Sequence, residues 1–180
     1  TKLLRLNDEL ETKVDERTRE LAELNEALAQ QVRTDALTGL HNRLAAMEAL
    51  RIEHSRFERT RQAYSVLMAD VDHFKSINDV HGHLAGDDVL RFISRIFAKN
   101  LRGHDFIARY GGEEFIFLLP ATRLDEASLV AEKIRKAVEE APHPVVGKVT
   151  VSIGAAEESA TCSDKAQIIR EADQSLYEAK

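Results

Sequence analysis

The sequence predicts an α+β fold of the ferredoxin-like or palm type: a βαββαβ core with an antiparallel-containing sheet and flanking helices, preceded by an N-terminal coiled-coil helix. Three observations predict it. Residues 1–33 contain neither Gly nor Pro, and their apolar residues recur every seven positions. Beyond Thr34 that heptad gives way to alternating helical and strand-like periods. Two of the strand-like runs flank Gly111-Gly112, so the strands follow in the order strand, hairpin, strand. The expected organisation is a coiled-coil dimerisation helix over 1–33 and a globular domain over 34–180, with its helices on one side of the sheet.

In the first segment Asn7, Val14, Leu21 and Leu28 fall at heptad a, and Leu3, Leu10, Arg17, Leu24 and Gln31 at d. Six of these nine seam positions are apolar, a stripe too narrow to bury itself, so a self-associating parallel rod is the economical reading over a lone solvated helix. Asn7 and Arg17 would weaken the seam while fixing its register. Residues 43–61 then read as an amphipathic helix and 64–71 (YSVLMADV) as a buried strand. A short helix over 74–80 stops near Gly82. Residues 87–101 form a longer helix with Val89, Leu90, Ile93, Ile96 and Phe97 on its apolar face. Strands over 106–110 and 114–119 flank Gly111-Gly112, a pair suited to a tight primed turn. Residues 123–140 are helical, 148–155 (KVTVSIGA) a strand, and 163–180 the final helix.

With 180 residues, 43% hydrophobic and 31% charged, the chain suits one domain and an appendage and has enough apolar material for a core. Its 25 Lys and Arg against 31 Asp and Glu, net −6, include no basic block, which argues against a nucleic-acid polymer as partner. The lone Cys162 fits a reducing, cytoplasmic setting. No apolar run approaches the ~20 residues of a spanning helix. The chain opens at Thr1 as if in mid-helix, so a longer protein is expected, with an upstream sensor and, through it, an optional membrane attachment.

Candidate chemistry gathers at strand ends. Asp70 and Asp72 close the strand 64–71 one residue apart, so alternation puts both on one face. Glu113 and Glu114 follow the two glycines of the hairpin. Carboxylates at a strand end and a neighbouring hairpin tip suit Mg²⁺, which prefers oxygen ligands and substrate phosphates, and point to metal-assisted phosphoryl or nucleotidyl transfer. The plainer alternative is a turn with solubilising acids. Asp72 opens a segment whose helix start can hold phosphate oxygens, with Lys75 in the first turn. Asn78 and Asp87 supply a carbonyl and a carboxylate to match guanine's N–H donors; their plainer roles are helix capping and an N-cap. His81 and His83 have no third ligand near them in sequence and read as loop residues. There is no GxxxxGK[ST] phosphate loop.

Together these residues resemble the GGDEF family of diguanylate cyclases. The likeness spans roughly residues 34–180 and rests on DALTGLHNR (35–43), DVDHFKSINDVHGHLAGD (70–87), RYGGEEF (109–115), VSIG (151–154) and ADQSLYEAK (172–180), with the signature in its GGEEF variant. The resemblance implies that Asp70, Glu113 and the Val71 carbonyl hold Mg²⁺, or Mn²⁺, and that Glu114 is the further signature acid needed for activity. It implies substrate contacts from Asn78, Asp87, Phe74, Lys75, Gly111, Gly112 and Lys180. Family members condense two GTP into cyclic di-GMP and two pyrophosphates. Each domain presents one GTP, so two must meet face to face, which gives the rod a purpose.

The resemblance also implies an inhibitory site for the product. Arg102 and Asp105 match its RxxD pattern, with Lys133 where a further arginine often stands, a change that keeps charge but loses the planar fork. The plainer reading is a surface ion pair worth under ~1 kcal/mol. The family pattern continues past Lys180 with a Gly-Arg that assists phosphate binding, so full activity is expected to need more chain than these residues. Two rivals to an enzyme are a silent cyclic di-GMP receptor and a dimerising relay module; the intact GGEEF and Asp70 speak against both.

Overall fold

The computed structural model describes residues 13–14, 17–19, 33–158 and 165–180. The chain divides into two compact units, 1–33 and 34–180. In the first, residues 13–14 and 17–19 are helical. The seam positions Leu3, Asn7, Leu10, Leu21, Leu24, Leu28 and Gln31 lie outside the described residues, as does Cys162.

The second unit begins with α1 (Arg43–Thr60), which the Asn42 side chain caps by accepting from the Ala45 N–H at 3.0 Å. There follow β1 (Tyr64–Val71), α2 (Phe74–His81), α3 (His83–Asn100), β2 (Phe106–Arg109), β3 (Glu114–Pro120), α4 (Leu124–Glu139), β4 (Val151–Glu157) and α5 (Lys165–Ala179). The four strands form one sheet in the order β2-β3-β1-β4, antiparallel at every junction. In that register Asp70 lies opposite Glu114 on one side and Ser152 on the other.

Helices cover both faces of this sheet, which corrects the expectation of helices on one side. Leu67, Ala69 and Val71 pack with Phe115 and Phe117 against Val89, Leu90, Ile93 and Phe97 of α3 and Ile134 of α4. The opposite face sets Tyr64, Val66 and Met68 against Leu50 and Phe57 of α1 and Ile168, Ala172 and Leu176 of α5. The reason is visible in β1, where every residue but Asp70 is buried. A strand apolar at consecutive positions belongs between two layers, since one open face would produce alternation.

Three local expectations also change. α3 starts at His83, not near residue 87, because Gly82 (φ 83°) serves both helices: its N–H bonds the Asn78 carbonyl at 2.8 Å and its own carbonyl accepts from Gly86 at 3.2 Å. Asp87 is therefore inside α3 and not its N-cap. β4 runs over Val151–Glu157, later than expected. The glycines Gly111 and Gly112 do not form a two-residue primed turn, which needs positive φ; the positive-φ glycines among the described residues are Gly39, Gly82 and Gly147. Instead the Tyr110 and Gly111 N–H groups share the Glu114 carbonyl at 2.8 and 3.2 Å, giving a wider loop. The free edge of β2 is covered where His41 bridges Ala108 and stacks on the Phe106 ring at 4.4 Å. Among the described residues no helix is long and apolar enough to cross a membrane.

Candidate active site

The C-terminal end of β1 carries the half-buried Asp70 on the face covered by α5. Gly154 lets that helix approach: a Cβ there would run into the Ala172 carbonyl and the Leu176 N–H and lie 2.7 Å from Leu176 Cα. The approach delivers Lys180, whose Nζ lies 2.8 Å from Asp70 Oδ1. Asp72, just past the strand, accepts from Ser152 Oγ at 2.7 Å, and its N–H bonds the Thr150 carbonyl at 3.0 Å. The Lys180 hydrogen bond to Asp70, with the charges of Asp70, Asp72 and Glu113, holds the ammonium above the ordinary lysine pKa against desolvation.

The signature loop closes onto the same strand end, the Val71 N–H meeting the Glu113 carbonyl at 3.3 Å. Burial, then repulsion from Asp70, Asp173 and Glu113, raises the Glu114 pKa above the usual carboxylate value, with Lys180 offsetting part of it. Asp173, on α5, is a neighbour that sequence reasoning left without a role. A Cβ on Gly111 would run into the Glu114 carboxylate, the movable end of a flexible side chain. Among the described residues no three His, Cys, Asp or Glu side chains form a ready metal cage. Hard divalent cations typically take one or two carboxylates and complete their shell with water and substrate phosphates. Asp70, Glu113 and the Val71 carbonyl are oxygen donors of that kind.

Next to this end, α2 and α3 meet at a corner where Phe74 and Asn78 close on Gly86, the residue before Asp87. A Cβ on Gly86 would run into Asn78 Oδ1 and lie 3.3 Å from Phe74 Cζ. Lys75 is exposed in the first turn of α2. The residue before that helix, His73, holds a left-handed conformation (φ 55°), and no side chain caps the helix start. A non-glycine residue held there stores backbone strain, a trait that clusters at ligand sites.

The signal missed in sequence is Arg109. Its guanidinium donates to both oxygens of Asp35 at 3.2 Å and to the Gly112 carbonyl at 3.1 and 2.7 Å. Asp35 in turn accepts from the Thr38 N–H and Oγ1 at 2.9 and 2.7 Å. Burial opposes ionisation of Asp35, but the hydrogen bonds from Thr38 and the Arg109 charge outweigh it and hold its carboxyl below the usual value. The motif at 35–43 is thereby fastened to the signature loop. A single acid in one motif and a single arginine in the other were the available clue.

Arg102, Asp105 and Lys133 come together elsewhere, lining a cavity of about 300 Å³ with Asn100, Leu129 and Val130. Asp105 accepts from the Arg102 N–H at 2.8 Å, and Lys133 donates to the Asn100 carbonyl at 3.0 Å. This cavity lies beyond the far end of α3, about 20 Å along that helix from Asp87.

Comparison with known proteins accords with this arrangement. The family model described as "Diguanylate cyclase, GGDEF domain" matches residues 32–180. The diguanylate cyclase DgcP of Pseudomonas aeruginosa is 44% identical over 154 residues, covering 84% of this chain and 23% of the relative. A diguanylate cyclase of Vibrio cholerae is 38% identical over 164 residues, covering 89% of this chain and 50% of the relative. The chain thus spans at most about half the length of these curated relatives. Among solved structures, the coiled coil and GGDEF domain of DgcB from Caulobacter crescentus, in complex with c-di-GMP, matches with a TM-score of 0.77 at 30% identity, covering 93% of this chain and 92% of that one. The active GGEEF domain of a Vibrio cholerae diguanylate cyclase matches with a TM-score of 0.74 at 37% identity, covering 77% and 89%. A family model spanning most of the sequence and relatives at this identity have one reading: the chain belongs to the diguanylate cyclase GGDEF domain family.

Proposed function

We propose that this domain is a diguanylate cyclase that condenses two GTP into cyclic di-GMP and two pyrophosphates across a dimer of half-sites. The observation that carries the reading is the meeting of Asp70, the signature acids and Lys180 at one end of β1, beside the Asn78–Asp87 corner. Asp87 accepts guanine's N1–H and N2–H₂ while Asn78 bonds its ring edge, a pattern adenine cannot match. Phe74 forms part of the wall. Lys75, Lys180 and the backbone of Gly111 and Gly112 hold the phosphates.

Asp70, Glu113 and the Val71 carbonyl would hold Mg²⁺, or Mn²⁺, which supplies charge neutralisation at the reacting phosphate and the departing pyrophosphate. In each half-reaction the 3′-hydroxyl oxygen of one GTP bonds to the α-phosphorus of the other. The bond from that phosphorus to pyrophosphate breaks, and the hydroxyl proton leaves to Glu113, Glu114 or water. Both GTP molecules must be presented face to face, so one domain alone completes nothing. The helix over 1–33 serves that requirement as a parallel coiled coil, a reading supported by the Caulobacter crescentus structure of a coiled coil with its GGDEF domain. An upstream sensor would act through it in a cytoplasmic domain.

Incubation of the protein with GTP and Mg²⁺, with cyclic di-GMP and pyrophosphate measured, tests the reading. Absence of product at high protein concentration, with the chain extended at its C-terminus, rejects it in favour of a receptor or relay. The cavity of Arg102, Asp105 and Lys133 is the proposed product-inhibition site, where Arg102 can form a bidentate contact with guanine or phosphate. Arg102→Ala should remove slowing by added cyclic di-GMP while leaving the initial rate within about twofold; unchanged inhibition rejects the assignment.

A further inference from the structure

Lys180 already holds the acid at which the divalent ion is proposed to bind. Its Nζ sits 2.8 Å from Asp70 Oδ1, with the Asp70 side chain 13% exposed and the Lys180 side chain 45% exposed. Glu114 lies opposite Asp70 in the sheet, Glu113 adjoins Glu114, and Asp72 follows two residues on. Four carboxylates gathered at one strand end repel one another and need a positive charge among them. Among the described residues, the cation that contacts Asp70 there is this ammonium. It rides on a long, half-exposed side chain at the end of α5, so it can swing away without any backbone rearrangement.

An ammonium 2.8 Å from Asp70 Oδ1 takes one acceptor site of that carboxylate and sets a positive charge beside it, which repels an incoming dication. An ion arriving alone therefore binds against the ammonium's charge or moves Lys180 away from its partner. An ion arriving on a triphosphate brings new anionic oxygens to which the ammonium can move.

We propose that Lys180 is the resident counter-ion of Asp70 and couples divalent-ion binding to nucleotide: it weakens binding of the free ion and releases that opposition when the ion arrives with a nucleotide. This rests on the reading of Asp70 as a metal ligand. It gives Lys180 two successive partners, Asp70 before substrate arrives and phosphate afterwards. The acids thereby stay neutralised in both states.

The test follows the free Mn²⁺ signal by electron paramagnetic resonance during titration of the 180-residue protein. Without nucleotide, Lys180→Gln should bind Mn²⁺ about two- to fivefold more tightly than the parent, the factor expected for removing one half-exposed competing ion pair. Lys180→Arg, which keeps the pair, should stay at the parent's affinity. So should Lys99→Gln, which removes an equal charge from the exposed last turn of α3. With α,β-methylene-GTP present the parent should bind Mn²⁺ at least as tightly as Lys180→Gln. Equal Mn²⁺ affinities of the parent and Lys180→Gln without nucleotide, or an equal gain from Lys99→Gln, overturn the counter-ion role alone. Absence of Mn²⁺ binding in every variant, with and without the analogue, overturns the metal assignment and the counter-ion role together.

Discussion

The two ends of β1 carry acid clusters of opposite design. At the C-terminal end Asp70 meets the half-exposed Lys180 and lies within the influence of Glu113 and Glu114. At the other end, about 20 Å away along the strand, the Glu158 N–H bonds the Tyr64 carbonyl at 2.9 Å and its side chain is sealed, 0% exposed. Its Oε2 accepts from the Tyr64 hydroxyl at 3.1 Å and lies 3.6 Å from His54 Nδ1, while Oε1 has no hydrogen-bond partner. Burial heads the causes that raise the pKa at both ends, in Glu114 and in Glu158. A perturbed carboxyl alone therefore does not mark a reactive site. What separates the two is access and an exchangeable cation: one end can trade its counter-charge for a ligand, the other can only stay closed.

The largest expected effect tests the open end. Glu113→Ala should lower cyclic di-GMP formation by about 1,000-fold or more, roughly 4 kcal/mol of barrier. The melting temperature should move by less than about 3 °C, because Glu113 is a partly exposed loop residue. Comparable activity in this variant would erase the functional distinction between the two ends.

Gly154→Ala should show whether α5 links the sheet to that chemistry. The new methyl would press on the α5 backbone at Ala172 and Leu176. Overpacking of this kind costs about 1–3 kcal/mol, or roughly 2–10 °C in melting temperature. Displacing α5 also draws Lys180 from Asp70, so activity per folded molecule should fall several-fold as well. Thermal scans beside initial rates decide it, and a variant unchanged in both would mean that the helix position does not set the site.

Much of this was legible in the sequence, for identifiable reasons. YSVLMADV could only be a buried strand, and it occupies the residues expected. Helices on one side of the sheet do not suit this strand, because its unbroken apolar run requires a second covering layer. At the strand end Asp70 meets Lys180 and lies opposite Glu114, and at the α2–α3 corner Phe74 and Asn78 close on Gly86, since motifs at strand termini converge once the strand order is right. Gly86 and Gly154 escaped notice because a glycine's reason for being there is the neighbour a Cβ would hit, and that neighbour is distant in sequence or across a turn. The Arg109–Asp35 clamp was invisible for the same reason, 74 residues separating its partners. The Gly-Gly turn was misassigned because Arg109 holds the Gly112 carbonyl and shapes a wider loop than the dipeptide alone favours.

The smallest expected effect concerns the sealed end and depends on pH. Burial raises the Glu158 pKa, against the lowering influence of the Tyr64 hydrogen bond and His54, and Glu171 adds to the rise. A carboxyl whose folded pKa exceeds its unfolded value binds protons more tightly when folded. Its protonation therefore supports the fold below the unfolded pKa, and that support is lost as pH rises through the folded value. As pH rises, ionisation makes Glu158 a buried charge with one oxygen unpaired. Glu158→Gln removes the charge and keeps the shape, so it should stabilise the domain by about 1 kcal/mol at pH 7. The gain should be smaller at a pH of about 4.5 than at pH 7, because the raised pKa favours the neutral form of the parent residue as pH falls. Cyclic di-GMP synthesis should stay within about twofold throughout, since no reacting group lies at this end. Paired thermal unfolding curves at the two pH values provide the measurement. A gain that is the same at both, or a loss at pH 7, would mean that the His54 and Tyr64 contacts compensate the charge fully and that the sealed end is built around a stable carboxylate.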